Sequence, residues 1–219
     1  MVRDAERQSR AQEGPIVGSL PPDAPGISAA IRLTPNLGIH LRGLADELLV
    51  NEFRGATITR GEREMLATAV SAANDCFFCM DSHAAHATAV LELTGTPDVV
   101  PLVEGLKTGV SDGLSEKMQA LITISRIVGR NSLELTSDDV AAAKAAGASD
   151  ADIQLAVLIA AGFSMYNRMV DGFRAPTPPS TEVYAERAAQ IAQSGYSAPP
   201  PVGATPGRAG DDRDEGRPA

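Results

Sequence analysis

The chain has no tryptophan, and its three tyrosines and five phenylalanines bring aromatics to only 4% of 219 residues. Its 43% apolar content rests instead on Ala, Leu, Val and Ile, a supply that suits closely packed helices better than a sandwich of sheets. Basic residues are also short: 19 Lys and Arg stand against 28 Asp and Glu, for a net charge of −9 and a pI near 4.8. Phosphate backbones are held by clustered positive charge, so nucleic-acid partners are not expected. No apolar run approaches the roughly 20 residues that span a bilayer; the longest, LAVLIAAGF, covers residues 155–163. The opening MVRDAERQSRAQEG lacks the apolar stretch of a secretory signal. The expectation is a cytoplasmic protein without a membrane partner. Only two cysteines are present, and in a reducing compartment an isolated pair is more often catalytic or metal-binding than a structural staple.

The length is enough to bury a full core as one domain with tails. Residues 1–26 are polar and end in a Pro/Gly-rich run, and read as a flexible arm. Residues 197–219 are dense in Pro, Gly and charge, with Val202 the only large apolar side chain, and read as a disordered tail. Residues 27–196 form the domain, and its pattern is helical throughout. A first helix opens near Pro35, with Leu41, Leu44, Leu48 and Leu49 at helical spacing. A second follows the capping box Thr59-Arg60-Gly61-Glu62. Asn74 or Asp75 caps a third, from Cys76 to about Leu93, and further helices follow Asp98, Ser115, Ser137, Asp150 and Thr181, with Gly147 as a C-cap between two of them. The expected fold class is all-α, with about eight helices.

The informative stretch is EMLATAVSAANDCFFCMDSH, residues 64–83. Cys76 and Cys79, three apart in the first turn of a helix, lie on one face about 5 Å apart, within reach of a disulfide. The unpaired amides and dipole of that turn favour thiolate over thiol. His83 is one turn beyond Cys79, where its ring can reach the sulfur as a base. That favours Cys79 as nucleophile and Cys76 as its resolving partner. The reverse assignment draws on Cys76 lying nearer the helix end, but the dipole contributes only about 0.3–1 kcal/mol, whereas a base within reach removes the proton.

Two other readings compete. Cys76, Cys79, His83 and His86 are all zinc-ligand types, yet on one helix they spread over about 15 Å of axis and cannot converge on one ion. Alternatively the cysteines are small buried hydrophobes beside Phe77 and Phe78. His86 reads as packed or solvated and His40 as structural or exposed. By spacing alone, Glu64 belongs to an ordinary charged first turn.

The string from Glu64 through Cys76 and Cys79 to His83 resembles the core motif of the alkylhydroperoxidase D-like (AhpD-like) proteins of the carboxymuconolactone decarboxylase-like superfamily. Ser71 and Asn74 before the first cysteine, and FSMYNRMVDGF at residues 163–173, resemble its peroxidase-related branch. The likeness runs from about Pro35 to Tyr196. It implies an all-helical trimer or hexamer in which Glu64 orients His83, His83 deprotonates Cys79, and Cys76 is the partner thiol. Phe78 stands where some members carry a relay histidine, so a relay through that position is excluded. The implied activity is reduction of alkyl hydroperoxides without metal, flavin or haem: Cys79 attacks, Cys76 resolves, and an external dithiol, lipoyl or thioredoxin-like, resets the pair. The alternatives are a disulfide oxidoreductase acting on lipoyl or protein disulfides, and a non-catalytic helical oligomer that senses oxidants. Phe77, Phe78, Met80 and Phe163 suggest an apolar approach suited to organic hydroperoxides, although such residues are more often simply core.

Overall fold

The structure, a computed structural model, describes residues 14–21, 24–178 and 183–197. The remainder of the expected arm and tail, 1–13 and 198–219, lies outside the described residues, as does the expected helix start at Thr181. Among the described residues there are nine α-helices and no strand. They are α1 (Ile27–Leu33), α2 (Pro35–Leu49), α3 (Arg60–Ala73), α4 (Phe77–Leu93), α5 (Val99–Lys107), α6 (Glu116–Asn131), α7 (Ser137–Ala145), α8 (Asp150–Gly172) and α9 (Val183–Ser194), with a 3₁₀ turn at Ser132–Glu134.

Capping side chains mark four of the starts among the described residues, those of α3, α6, α7 and α8. Thr59 and Glu62 close a reciprocal capping box on α3, and Ser149 with Asp152 does the same on α8. Asp152 also reaches across the fold: its carboxylate accepts from Thr57 N (2.6 Å), Thr57 Oγ1 (2.9 Å) and Ile58 N (3.1 Å), tying the α2–α3 connection to the start of α8. Helix α1 was not expected from sequence. It has only seven residues, and its N-cap is Gly26, which has no side chain to signal a start.

Helix α3 lies at the centre, packed on α2, α4, α5, α6 and α8, while α9 lies along α4. A helix covered on every side should be apolar all round. Accordingly α3 buries 11 of its 14 residues and α4 buries 12 of its 17. By length and composition α8 is long and apolar enough to cross a membrane, but 56% of its most apolar window is buried in the protein, as in a core helix.

Part of the N-terminal segment packs on the cysteine motif. Leu20 and Ala24 are buried in a cluster with Cys76, Phe78, Cys79 and Tyr184, and Gly26 N donates to Pro176 O at 2.8 Å. Gly26 has φ +53°, and a Cβ there would stand 2.1 Å from the Phe78 ring. Glycine is therefore needed both for the backbone and for the close approach. Leu20, Ala24 and Gly26 thus pack beside the cysteine motif.

Candidate functional site

Helix α3 ends and α4 begins in a sharp corner. Asn74 does not cap α4. Its amide spans to α8, donating to Asn167 Oδ1 (2.9 Å) and Ser164 Oγ (3.2 Å), while Asn167 Nδ2 donates to Ser71 Oγ (3.1 Å). The two stretches that carried the resemblance outside the cysteine motif, Ser71/Asn74 and residues 163–173, thus meet in one polar clasp. Asp75 turns the chain with φ +56°, a left-handed conformation that Asp tolerates better than most residues. Cys76 then stands at the N-cap of α4, one position before the place expected for it, and its N–H donates to Ser71 O at 3.0 Å. Cys79 falls inside the first turn.

Both thiols are buried and free, and no disulfide joins them. The Cys76 thiol is pushed well above its ordinary range, first by its hydrogen bond to the Cys79 sulfur and then by burial. The two sulfurs have different surroundings: Cys79, with His83, lines a cavity of about 60 Å³, whereas Cys76 is not part of that lining. Of the four residues expected to give an apolar approach, Phe78 and Phe163 line this cavity, and Phe77 and Met80 form a separate small cluster with Ala72.

Glu64 comes from α3, one helix away from the cysteine motif, and its side chain is fully buried. Its Oε2 is 2.8 Å from His83 Nδ1. Phe163 holds the imidazole edge-on, with ring centroids 4.5 Å apart. Glu64 Oε1 is taken by Tyr196, whose hydroxyl donates to it at 2.7 Å. The same hydroxyl lies 3.0 Å from His86 Nδ1. Burial, reinforced by the Glu64 carboxylate, raises the Tyr196 phenol well above its usual range, so it stays a donor. Burial, then His83, Arg187 and Arg60, lowers His86 well below the usual imidazole value, so it stays neutral.

These bonds set the protons. The single Tyr196 proton is directed at the carboxylate, so His86 donates from Nδ1 to the phenol oxygen, and His83 donates from Nδ1 to Glu64. His83 Nε2 is then the basic nitrogen. Glu64, His83 and His86 also bring one ligand atom each within 4.8 Å of one another, a grouping that the sequence argument about four ligand types on a single helix did not consider.

Of the expected site residues, Glu64 and His83 are directly joined, Cys79 shares a cavity with His83, and Cys76 lies beside Cys79. His86, expected to be packed or solvated, is buried inside the network. Tyr196 was missed altogether. Its backbone is pinned by Asp46, which accepts from Tyr196 N at 2.6 Å and Ser197 N at 3.0 Å. Arg60 draws in the end of α9 by donating to the Ala192 carbonyl at 2.6 Å and to that of Ile191.

A model of the carboxymuconolactone decarboxylase family matches residues 44–92, from the second half of α2 to the end of α4. Two solved structures share the fold. One is an alkylhydroperoxidase AhpD core, an uncharacterized peroxidase-related protein from Ralstonia eutropha JMP134, with TM-score 0.61 and 23% identity over 75% of this chain and 81% of that one. The other is an uncharacterized peroxidase-related protein from Silicibacter sp. TM1040, with TM-score 0.60 and 25% identity over 74% of this chain and 78% of that one. Over residues 44–92 the chain resembles the carboxymuconolactone decarboxylase family, and its fold resembles that of these two structures. No curated protein sequence matches it. The matched segment contains Glu64, both cysteines, His83 and His86, but not Tyr196.

Proposed function

We propose that this protein is a thiol-dependent peroxidase that reduces organic hydroperoxides through Cys79 and Cys76. One observation carries the reading: Cys79 and His83 line the same cavity, while the other ring nitrogen of His83 is bonded to a fully buried carboxylate. A carboxylate in that position keeps the imidazole in one tautomer and stabilises the imidazolium that forms when it accepts a proton.

The chemistry runs in three steps. His83 Nε2 takes the Cys79 proton, and the thiolate attacks the terminal oxygen of the hydroperoxide. The O–O bond breaks, the sulfur is oxidised to a sulfenic acid, and the departing alkoxide takes the proton from His83 to leave as an alcohol. The Cys76 thiol then attacks the sulfenic sulfur, expelling water and closing a disulfide. Finally an external dithiol exchanges with that disulfide, returning both thiols and leaving as its own disulfide. The Cys76 thiol, pushed above its ordinary range by Cys79 and by burial, stays protonated beside the nucleophile until the sulfenic acid has formed.

The test is steady-state turnover of cumene hydroperoxide with dihydrolipoamide. The full chain is expected to turn over and Cys79→Ser to be inactive. Equal rates for the two proteins would refute the assignment.

A further inference from the structure

The cavity beside Cys79 has one charged side chain whose role is unaccounted for. Its walls are largely apolar, contributed by Ile31, Leu41, Phe78 and Phe163 among others, but Arg42 of α2 also lines it. Arg42 is half-buried, and among the described residues it has no hydrogen-bond or ion-pair partner. In a chain with nine more acidic than basic residues, such a cation stands out. The nearby acids are engaged elsewhere. Asp46, one turn along α2, accepts from Tyr196 N and Ser197 N, and Glu64 is taken by His83 and Tyr196. A second cation adds to the field: the Arg187 guanidinium on α9 is lowered from its ordinary value by burial and then by the charge of Arg42, and it sits near enough to Tyr196 and His86 to act on both.

An unpaired guanidinium at the edge of an apolar cavity is a poor structural element, because it gives up hydration and gains no partner. It is a good receptor for a planar anion, which it can bind through two parallel N–H donors. The cavity is small, about 60 Å³, so it admits the peroxide group and its nearest carbons, and the rest of a substrate lies toward the half-exposed Arg42 and Tyr196. The anion must then sit only a few carbons from the peroxide.

We infer that the preferred substrates are short organic hydroperoxides bearing a carboxylate, with Arg42 as the anion subsite that sets the peroxide against Cys79. The inference rests on the peroxidase reading above, and it names the substrate class of the same site. Arg187 strengthens the positive field without touching the ligand. The carboxylate neutralises Arg42 on binding, and nothing in the substrate's charge opposes attack at the far oxygen.

The experiment uses the full-length protein and two arms. In the first, 4-(2-hydroperoxypropan-2-yl)benzoic acid is compared with its methyl ester, with neutral dihydrolipoamide as reductant in both cases. The acid should be favoured about tenfold in kcat/KM, mainly through KM, as expected for a hydrogen-bonded charge pair. The preference should shrink as ionic strength rises. Arg42→Gln should bring the acid down to the ester's value, and Arg42→Lys should restore part of the difference. The second arm measures calorimetric binding of the unreactive alcohols, 4-(2-hydroxypropan-2-yl)benzoic acid and its methyl ester, to Cys79→Ser protein with Arg42 intact or replaced by Gln. Tighter binding of the acid that disappears with Arg42 supports the subsite even if no hydroperoxide is turned over, in which case only the peroxidase reading falls. Equal binding of acid and ester, or a preference for the acid that survives Arg42→Gln, overturns the subsite.

Discussion

Replacing Tyr196 by Phe removes one oxygen and keeps the ring, so it tests the hydroxyl with little loss of packing. That oxygen donates to Glu64 at 2.7 Å and accepts from His86 at 3.0 Å. A hydrogen bond to a charged group contributes about 1.5–3 kcal/mol to stability. Tyr196 is half-buried, and water can replace part of what is lost, so the lower figure, about 1.5 kcal/mol, is the expected cost. For a domain of this size that lowers Tm by about 3–6 °C. The chemical consequence is larger than the structural one. Without the phenol, Glu64 Oε1 has no donor, the carboxylate can rotate, and its hold on the His83 tautomer weakens. Reduction of hydroperoxide by the pre-reduced enzyme, followed in a single turnover by loss of free thiols, should slow about tenfold, against the 10²–10⁴-fold that a general base contributes in total. Resetting by excess dithiol should be affected less, because disulfide exchange does not call on the same proton transfer. If Tyr196→Phe lowers Tm as expected but leaves the single-turnover rate at the wild-type value, Tyr196 is only a strut that fastens the end of α9, and the proton assignment through the network is wrong.

Glu64→Gln and His83→Ala should each slow peroxide reduction about 10²-fold or more, and the double variant should be little slower than His83→Ala alone, because residues acting as one unit are not additive; losses that multiply in single-turnover kinetics would separate Glu64 from the base. Asp152 offers a test of stability. Burial alone would raise its carboxyl, but the N–H groups of Ser149 and Thr57 and their hydroxyls outweigh it and bring the group down to about 2. A depressed carboxyl stabilises the fold at pH above its unfolded value near 4, and that contribution is lost as pH falls through about 2. Asp152→Asn should therefore cost about 2 kcal/mol at neutral pH and flatten the acid limb of a denaturation series between about pH 4 and 2; an unchanged acid limb would show that the contacts to the α2–α3 connection carry no such linkage.

The helical class was readable because several starts are written locally. Thr59 with Glu62, Ser115 and Ser149 are side-chain caps, and each does in the fold what its position in sequence implies. The corner before α4 was misread by one residue for a reason that is not local. Asn74 is as good an N-cap as any, but Asn167 and Ser164, more than 89 positions away, claim its amide, so the helix starts later and Cys76 becomes the cap. Helix α1 was hidden because Gly26 carries no capping group and is required by the Phe78 ring, a contact invisible to periodicity.

The site divides along the same line. Cys76, Cys79, His83 and His86 lie on one helix, and spacing alone relates them. His86 is three residues from His83, on the same stripe, so its place beside that imidazole is legible from the spacing. Glu64 lies on a different helix and reads as an ordinary turn charge; only the resemblance singled it out. Tyr196 had neither route. It is 132 residues from the carboxylate it bonds, outside the matched segment, and its position depends on a glycine turn at φ +78° in Gly195 and on two acceptor oxygens of Asp46. Burying a charged carboxylate is tolerable only when its oxygens are satisfied. The one question that could have found Tyr196 is thus physical: once Glu64 and His83 are paired in the core, what donates to the second oxygen? The histidine satisfies only one, so a donor from elsewhere in the chain is required, and among the described residues the chain supplies it from the end of α9.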